Sequence, residues 1–291
     1  LCNTVHSRTP ALEPKSPSCN YFALNILQAE LYFRDLDCPK VQLYLVGLTN
    51  TTKEEEDNFE VTNIERPNIP HMDGPLTLAL FHEWAEERKE FNDSDIVFLI
   101  TSKHVVDYIG TYLFGLSGGV SYLDGICSDL HVGIVYDTGR NFFGIRDVAQ
   151  LILPLLGAPW DEGHQAPRCL SSEGHLMSIR SSATLYPTLS NCTKEYLLQK
   201  YQDNLCTKPC WMDPPSPIIE RTKNLSAQYF ETENFCQARH PGYPEADYCP
   251  DGHPARNRTG LCRIACCKNI TESFFMPDVL PDGTPCLEGK V

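Results

Sequence analysis

Apolar residues recur at helical spacing from Tyr21 to Phe33 (YFALNILQAELYF), which predicts a first helix. Val41-Gln-Leu-Tyr-Leu-Val-Gly-Leu48 is short and apolar and suits a buried strand. The helical period returns over 75–91, with Leu76, Leu78, Leu80, Phe81 and Trp84 expected inward and the charges outward. Asp95-Ile-Val-Phe-Leu-Ile-Thr101 follows as a strand, then Gly119-Val-Ser-Tyr-Leu-Asp-Gly125 and Val132-Gly-Ile-Val-Tyr136. An apolar helix is expected around Ile145 to Leu156. Alternating helices and strands give an α/β layered domain, and no internal repeat is visible.

The cysteines divide the chain. Residues 1–205 hold six of the fourteen and the last 86 residues hold eight, with the stiff stretch Trp211-Met-Asp-Pro-Pro-Ser-Pro217 near the break. The expected organisation is an N-terminal extension over 1–18, an α/β domain over 19–206, a proline-rich linker over 207–217 and a cysteine-rich domain over 218–291. The last of these has too few apolar residues to hold itself without disulfides.

Fourteen cysteines without regular C-x-x-C pairs argue for an oxidising compartment. Cys262-x-x-x-Cys266-Cys267 has no matching downstream pair that would make it a zinc site. Six N-x-S/T sequons, at Asn50, Asn92, Asn191, Asn224, Asn257 and Asn269, agree with a glycosylated exterior. The chain starts at Leu1 with no charged n-region and apolar h-region, so any secretory signal is expected to have been removed. The expectation is therefore a secreted, extracellular, disulfide-bonded glycoprotein. A net charge of −14 argues against nucleic acid or an anionic membrane surface as partner. No apolar run approaches the roughly 20 residues that span a bilayer.

Several strings then resemble one family in order and spacing. Leu78-Ala-Leu-Phe-His-Glu-Trp84 with Ser94 to Thr101 is similar to the second helix and following strand of reprolysin-type (metzincin) metalloproteases. Gly119 to Cys127 and His131 to Asp137 resemble that family's edge strand and its neighbour. Gly157-Ala-Pro-Trp-Asp161 stands where the family has Gly-x-x-His-Asp, and Glu173-Gly-His-Leu-Met-Ser178 resembles its Met-turn, with Met177 as the methionine. Leu189-Ser-Asn-Cys-Thr-Lys194 resembles the segment before the last helix. The likeness covers about residues 20 to 206 and is greatest to secreted metalloproteases of tick saliva, which carry a short cysteine-rich tail. It implies a mixed, twisted metzincin-like sheet with helices on its faces. That family has a first apolar strand before the first helix, whereas Leu1 to Ser18 is rich in proline and polar residues.

The family's motif, H-E-x-x-H-x-x-G-x-x-H, supplies three imidazoles to zinc and a glutamate as general base. Anchored on Gly157, its chemical positions fall on Gln150, Leu151, Pro154 and Trp160. None of these side chains is a plausible zinc ligand or base, and proline also bends a helix. The resemblance therefore implies a pseudo-protease with no metal and no cofactor. Leu151, Leu153, Leu155 and Leu156 with Trp160 are expected to plug the former zinc cavity. It further implies a disulfide Cys169–Cys192, and one from Cys127 to Cys206 or Cys210; Cys19 with Cys38 is a local guess. Connectivity in the tail does not follow from spacing.

Other constellations are weaker. His82-Glu83-Trp84-Ala85-Glu86 begins like a zinc motif, but a solvated polar face is the favoured reading. His164 and His175, with Asp161 or Glu162, are read as surface loop residues. Ser117-Gly-Gly119 and Ser171-Ser172 make no nucleophile elbow, and Gly115 to Gly119 lacks a phosphate-loop lysine and is read as a turn into the edge strand.

The family holds peptides along its edge strand by backbone hydrogen bonds, which need no zinc. Val120, Ser121, Tyr122, Leu123, Asp124 and Gly125 correspond to that strand, and a covered edge is an even alternative. The leading expectation is a secreted binding protein that sequesters a host protein or peptide of haemostasis, complement or inflammation, with the acidic balance favouring a basic partner. The alternatives are a divergent, active zinc metalloprotease using rearranged ligands among His131, His164 and His175, or an antigenic decoy with no dedicated ligand.

Overall fold

The computed structural model describes residues 17–62, 71–92, 94–109, 112–116, 118–139, 142, 144–163, 169–170, 173–178, 187–202, 217–218, 226–229, 234–240, 243–256, 263–268, 275, 278–280 and 283–284. The chain divides into two compact units, one of residues 1–138 with 143–221 and one of residues 139–142 with 222–291.

The first unit is mixed α/β. Helix α1 (Pro17–Glu30) runs into a 3-10 turn at Leu31–Phe33. Helix α2 (Lys53–Phe59) starts from a reciprocal cap, in which the Thr52 hydroxyl accepts the Glu55 N–H while Glu55 accepts the N–H of Thr52. Strand β1 (His71–Asp73) leads directly into α3 (Gly74–Glu86), whose first turn is fixed by Pro75 and by Asp73 accepting the Leu76 N–H at 3.0 Å. Strands β2 (Val97–Thr101), β3 (His104–Ile109), β4 (Tyr112–Gly115), β5 (Gly119–Ser121) and β6 (Val132–Tyr136) follow, then α4 (Gly144–Leu155) and α5 (Asn191–Tyr201).

Two three-stranded sheets result. In one, β6 lies between a parallel β2 and an antiparallel β5, with Leu99 opposite Ile134 and Val120 opposite Ile134 on the other side. In the other, β3 lies between a parallel β1 and an antiparallel β4. Alternation along β6 separates its faces. Val132 and Ile134 join Leu78, Phe81 and Trp84 of α3, with Phe59 and Phe91, in one core cluster. Val135 instead lines a crevice with Ile100, with Phe22 and Ile26 of α1 and with Val148 of α4. The sheet is thus a middle layer with α3 on one side and α1 and α4 on the other.

Three expectations change. Residues 41–48 bury Leu43, Leu45 and Leu48 but form no strand ladder; Leu45 O accepts the Ile218 N–H and Leu43 N–H is taken by Glu30. Leu76 and Leu80 of α3 are exposed rather than inward, because Leu78, Phe81 and Trp84 already fill the face toward the sheet. The edge strand ends at Ser121, four residues earlier than Gly125. The expected N-terminal extension and proline-rich linker lie almost wholly outside the described residues.

The second unit holds short pieces: α6 (Ser226–Tyr229), α7 (Phe235–Arg239), and strand pairs β7 (Asp247–Tyr248) with β9 (Cys266–Cys267) and β8 (Arg263–Ile264) with β10 (Asp278–Val279). Disulfides Cys236–Cys266 and Cys249–Cys267 join them, which spacing had left open. Its buried clusters are small, one of Phe235, Cys236, Ala246 and Cys266 and one of Cys249, Ala255, Ala265 and Cys267. Among the described residues, no helix is long and apolar enough to cross a membrane.

Candidate functional site

The site is built around α4. Its N-terminus is anchored by Asp137 at the end of β6, which accepts the Gly144 N–H and the Tyr21 hydroxyl, each at 2.8 Å. Apolar residues surround most of the helix, and Val148, Ala149, Leu151, Ile152, Leu153 and Leu155 are all buried.

Gln150 is buried as well, and its amide nitrogen donates to Leu176 O at 2.7 Å. That bond ties the helix to the residue before Met177, whose side chain is fully buried. Leu151 is buried. Pro154 sits inside the last turn and withholds the N–H that the Gln150 carbonyl would otherwise receive. Gly157 turns the chain at φ +89°, and a Cβ there would run into the Lys200 ammonium. Trp160 does not plug the interior: it is 38% exposed, whereas Leu151, Leu153, Leu155 and Leu156 are buried.

The carbonyls at the end of α4 are taken up by the chain itself. Ser121 Oγ donates to Leu151 O, Asp124 N–H to Pro154 O, Ile126 N–H to Leu155 O, and the Tyr201 hydroxyl to Leu156 O. The candidate edge is therefore split. Gly119–Ser121 pairs with β6, whereas Asp124 adopts φ 60° and folds the chain back onto the helix end, with Gly125 buried against Leu130 O. Val120 and Tyr122 pack against the core, Asp124 pairs with Lys200 at 2.7 Å, and Leu123 stands 60% exposed. Burial pushes the Tyr201 phenol up, with Asp124 and Tyr196 adding to it.

Asp161 is a buried carboxylate held by hydroxyls. It accepts from Ser190 Oγ at 2.5 Å and Thr193 Oγ1 at 3.0 Å, and its own N–H donates to Met177 O. The Cys169–Cys192 disulfide forms beside it, as the resemblance implied. Cys38 and Cys127 are also disulfide-bonded; Cys206 and Cys210, the expected partners of Cys127, lie outside the described residues. Below the turn into β5, a Cβ at Gly118 would collide with the Asp147 carboxyl. Burial, with Asp137 nearby, pushes Asp147 up to about 7 despite the opposing pull of Arg146.

Among the described residues, no group of metal-ligating side chains includes His131 or His175. His131 Nδ1 lies 2.6 Å from Ser128 O and His175 Nε2 lies 3.1 Å from Glu173, while His164 is outside the described residues. Among the described residues, metal-ligating side chains meet in two places. Cys249, His253 and Cys267 are one, but their two sulfurs are joined in a disulfide. His82, Glu86 and Asp129 are the other. The polar face expected on α3 is present at Glu83 and Glu86, but Asp129 is distant in sequence and no local pattern brings it there. Sequons Asn50, Asn92 and Asn191 are exposed, and Asn224, Asn257 and Asn269 lie outside the described residues.

At positions 150, 151 and 154 the arrangement offers an amide already donating, an isobutyl group and a pyrrolidine ring. None accepts a proton near neutral pH or presents an imidazole nitrogen to an ion. No protein-family model matches the chain, and no curated protein matches it.

Proposed function

We propose that the chain is a secreted, catalytically inactive protein of the reprolysin-type metalloprotease fold that binds and sequesters a host polypeptide. The observation that carries this reading is Gln150. Gln150, to which the resemblance gives the first zinc-ligand position, is buried and gives its amide proton to Leu176 O, so it serves as a strut of the fold. Leu151 and Pro154 extend the same replacement to the base and second-ligand positions.

An edge strand needs no ion to recognise a peptide, and β5 ends the order β2-β6-β5. The segment that remains for a partner is Val120 to Leu123, because Asp124 and Gly125 are committed to the end of α4. Leu123 offers an apolar anchor beside it, and a net charge of −14 draws a basic partner.

The test has two arms. Purified protein incubated with casein or gelatin, with and without chelator, is expected to give no cleavage; a chelator-sensitive product overturns the reading. Affinity capture from host plasma is expected to recover a discrete polypeptide, with recovery reduced at least about tenfold by Leu123→Asp, the order of a lost interface anchor. Capture unchanged by that substitution removes the edge from the proposal.

A further inference from the structure

We infer that His82, Glu86 and Asp129 form a zinc-binding site between α3 and the turn joining β5 to β6, apart from α4. His82 and Glu86 are one helical turn apart, so both side chains rise from the same face. Asp129 joins them from the turn between β5 and β6, and ligand atoms of the three residues lie within 4.8 Å of one another.

The spacing fits a shared ion better than a hydrogen bond. His82 Nε2 is 3.7 Å from Glu86 Oε1, too far for direct hydrogen bonding. Two ligand atoms each about 2.0–2.2 Å from one tetrahedral ion stand about 3.3–3.6 Å apart. The second observation is independent of that distance. His82 Nε2 is withheld from solvent yet has no hydrogen-bond partner among the described residues, and a buried nitrogen left so is unfavourable unless something else takes its lone pair or proton.

Both supports of the site are fixed. The His82 ring stands edge-on to Tyr122 at 6.0 Å, on a helix that is itself packed on the sheet. The Asp129 turn is pinned by Ser128 Oγ donating to Gly125 O and accepting the Leu130 N–H. Glu86 and Asp129 are exposed, which leaves an approach from water and a fourth position for a water ligand. One imidazole nitrogen and two carboxylates select zinc over calcium or magnesium, which take oxygen ligands.

None of these residues belongs to α4, so the site holds whether or not the reading of α4 does. The experiment is calorimetric titration of ZnCl2 into the full-length protein, followed by melting with and without zinc. One equivalent is expected to bind in the micromolar range and to raise the melting temperature. His82→Ala and Asp129→Asn should each weaken that binding at least tenfold and abolish the shift. If His82→Ala fails to fold, the exposed Asp129→Asn decides. Absence of a saturable equivalent in the wild type, or binding unchanged in Asp129→Asn, overturns the proposal. A protonated His82 merely ion-paired to Glu86 would give the first of these results.

Discussion

Gly157 shows how much one position determines. Its left-handed turn carries the chain from the end of α4 toward Asp161, and the Lys200 side chain crosses where a Cβ would lie. Gly157→Ala is expected to destabilise the protein by about 1–3 kcal/mol, read from denaturant unfolding, through the strain of a left-handed backbone, since the flexible Lys200 end can move aside. The sequence made this glycine legible through the string around it. Trp160, three residues on, was misplaced by the same register: a match of letters does not say which side chain is buried, and Trp160 is exposed while Leu153, Leu155 and Leu156 are not. Gln150 was legible as a non-ligand, but its bond to Leu176 O depends on a segment 26 residues away in sequence.

At the scale of elements, α4, β2 and β6 were readable because their apolar residues keep a helical period or a continuous buried run. Helix α2 was not, since KEEEDNF carries a single buried apolar residue and rests on its Thr52–Glu55 cap. The β3–β4 hairpin was likewise hidden, for neither strand gave a period that stood out. The packing of α4 against the turn into β5 has a consequence for pH. Asp147 is raised to about 7, so the folded protein holds a proton that the unfolded chain releases near pH 4. Its contribution favours folding at low pH and is lost as pH rises toward 7. Asp147→Asn should therefore flatten the fall in stability between pH 4.5 and 7.5, roughly the interval between the two pKa values, as followed by melting temperature across buffers. An unchanged slope would show that the carboxyl is charged in the fold.

For the whole molecule, the uneven cysteine distribution set the last 86 residues apart as a region needing cross-links, and the chain divides into two compact units, the second of residues 139–142 with 222–291. The cross-links matter most where the apolar core is smallest. Replacing Cys236 and Cys266 together by serine is expected to cost the second unit about 2–5 kcal/mol. Limited proteolysis should then cut within 222–291 first, while a fragment containing the first unit survives. Simultaneous digestion of both units would contradict the division. The metal-ligating group on α3 could not be read from the chain, because its third member is 43 positions from Glu86 and arrives through the sheet order.

Asn191 opens α5 on the surface, but the rest of its acceptor triplet is shut away. Cys192 is locked to Cys169, and the Thr193 hydroxyl is committed to Asp161 in the interior. A transferase that must read that hydroxyl finds it only in a nascent chain, so any sugar on Asn191 has to arrive before the cystine closes. Occupancy there becomes a record of which event came first during biosynthesis, and slowing oxidation should increase it.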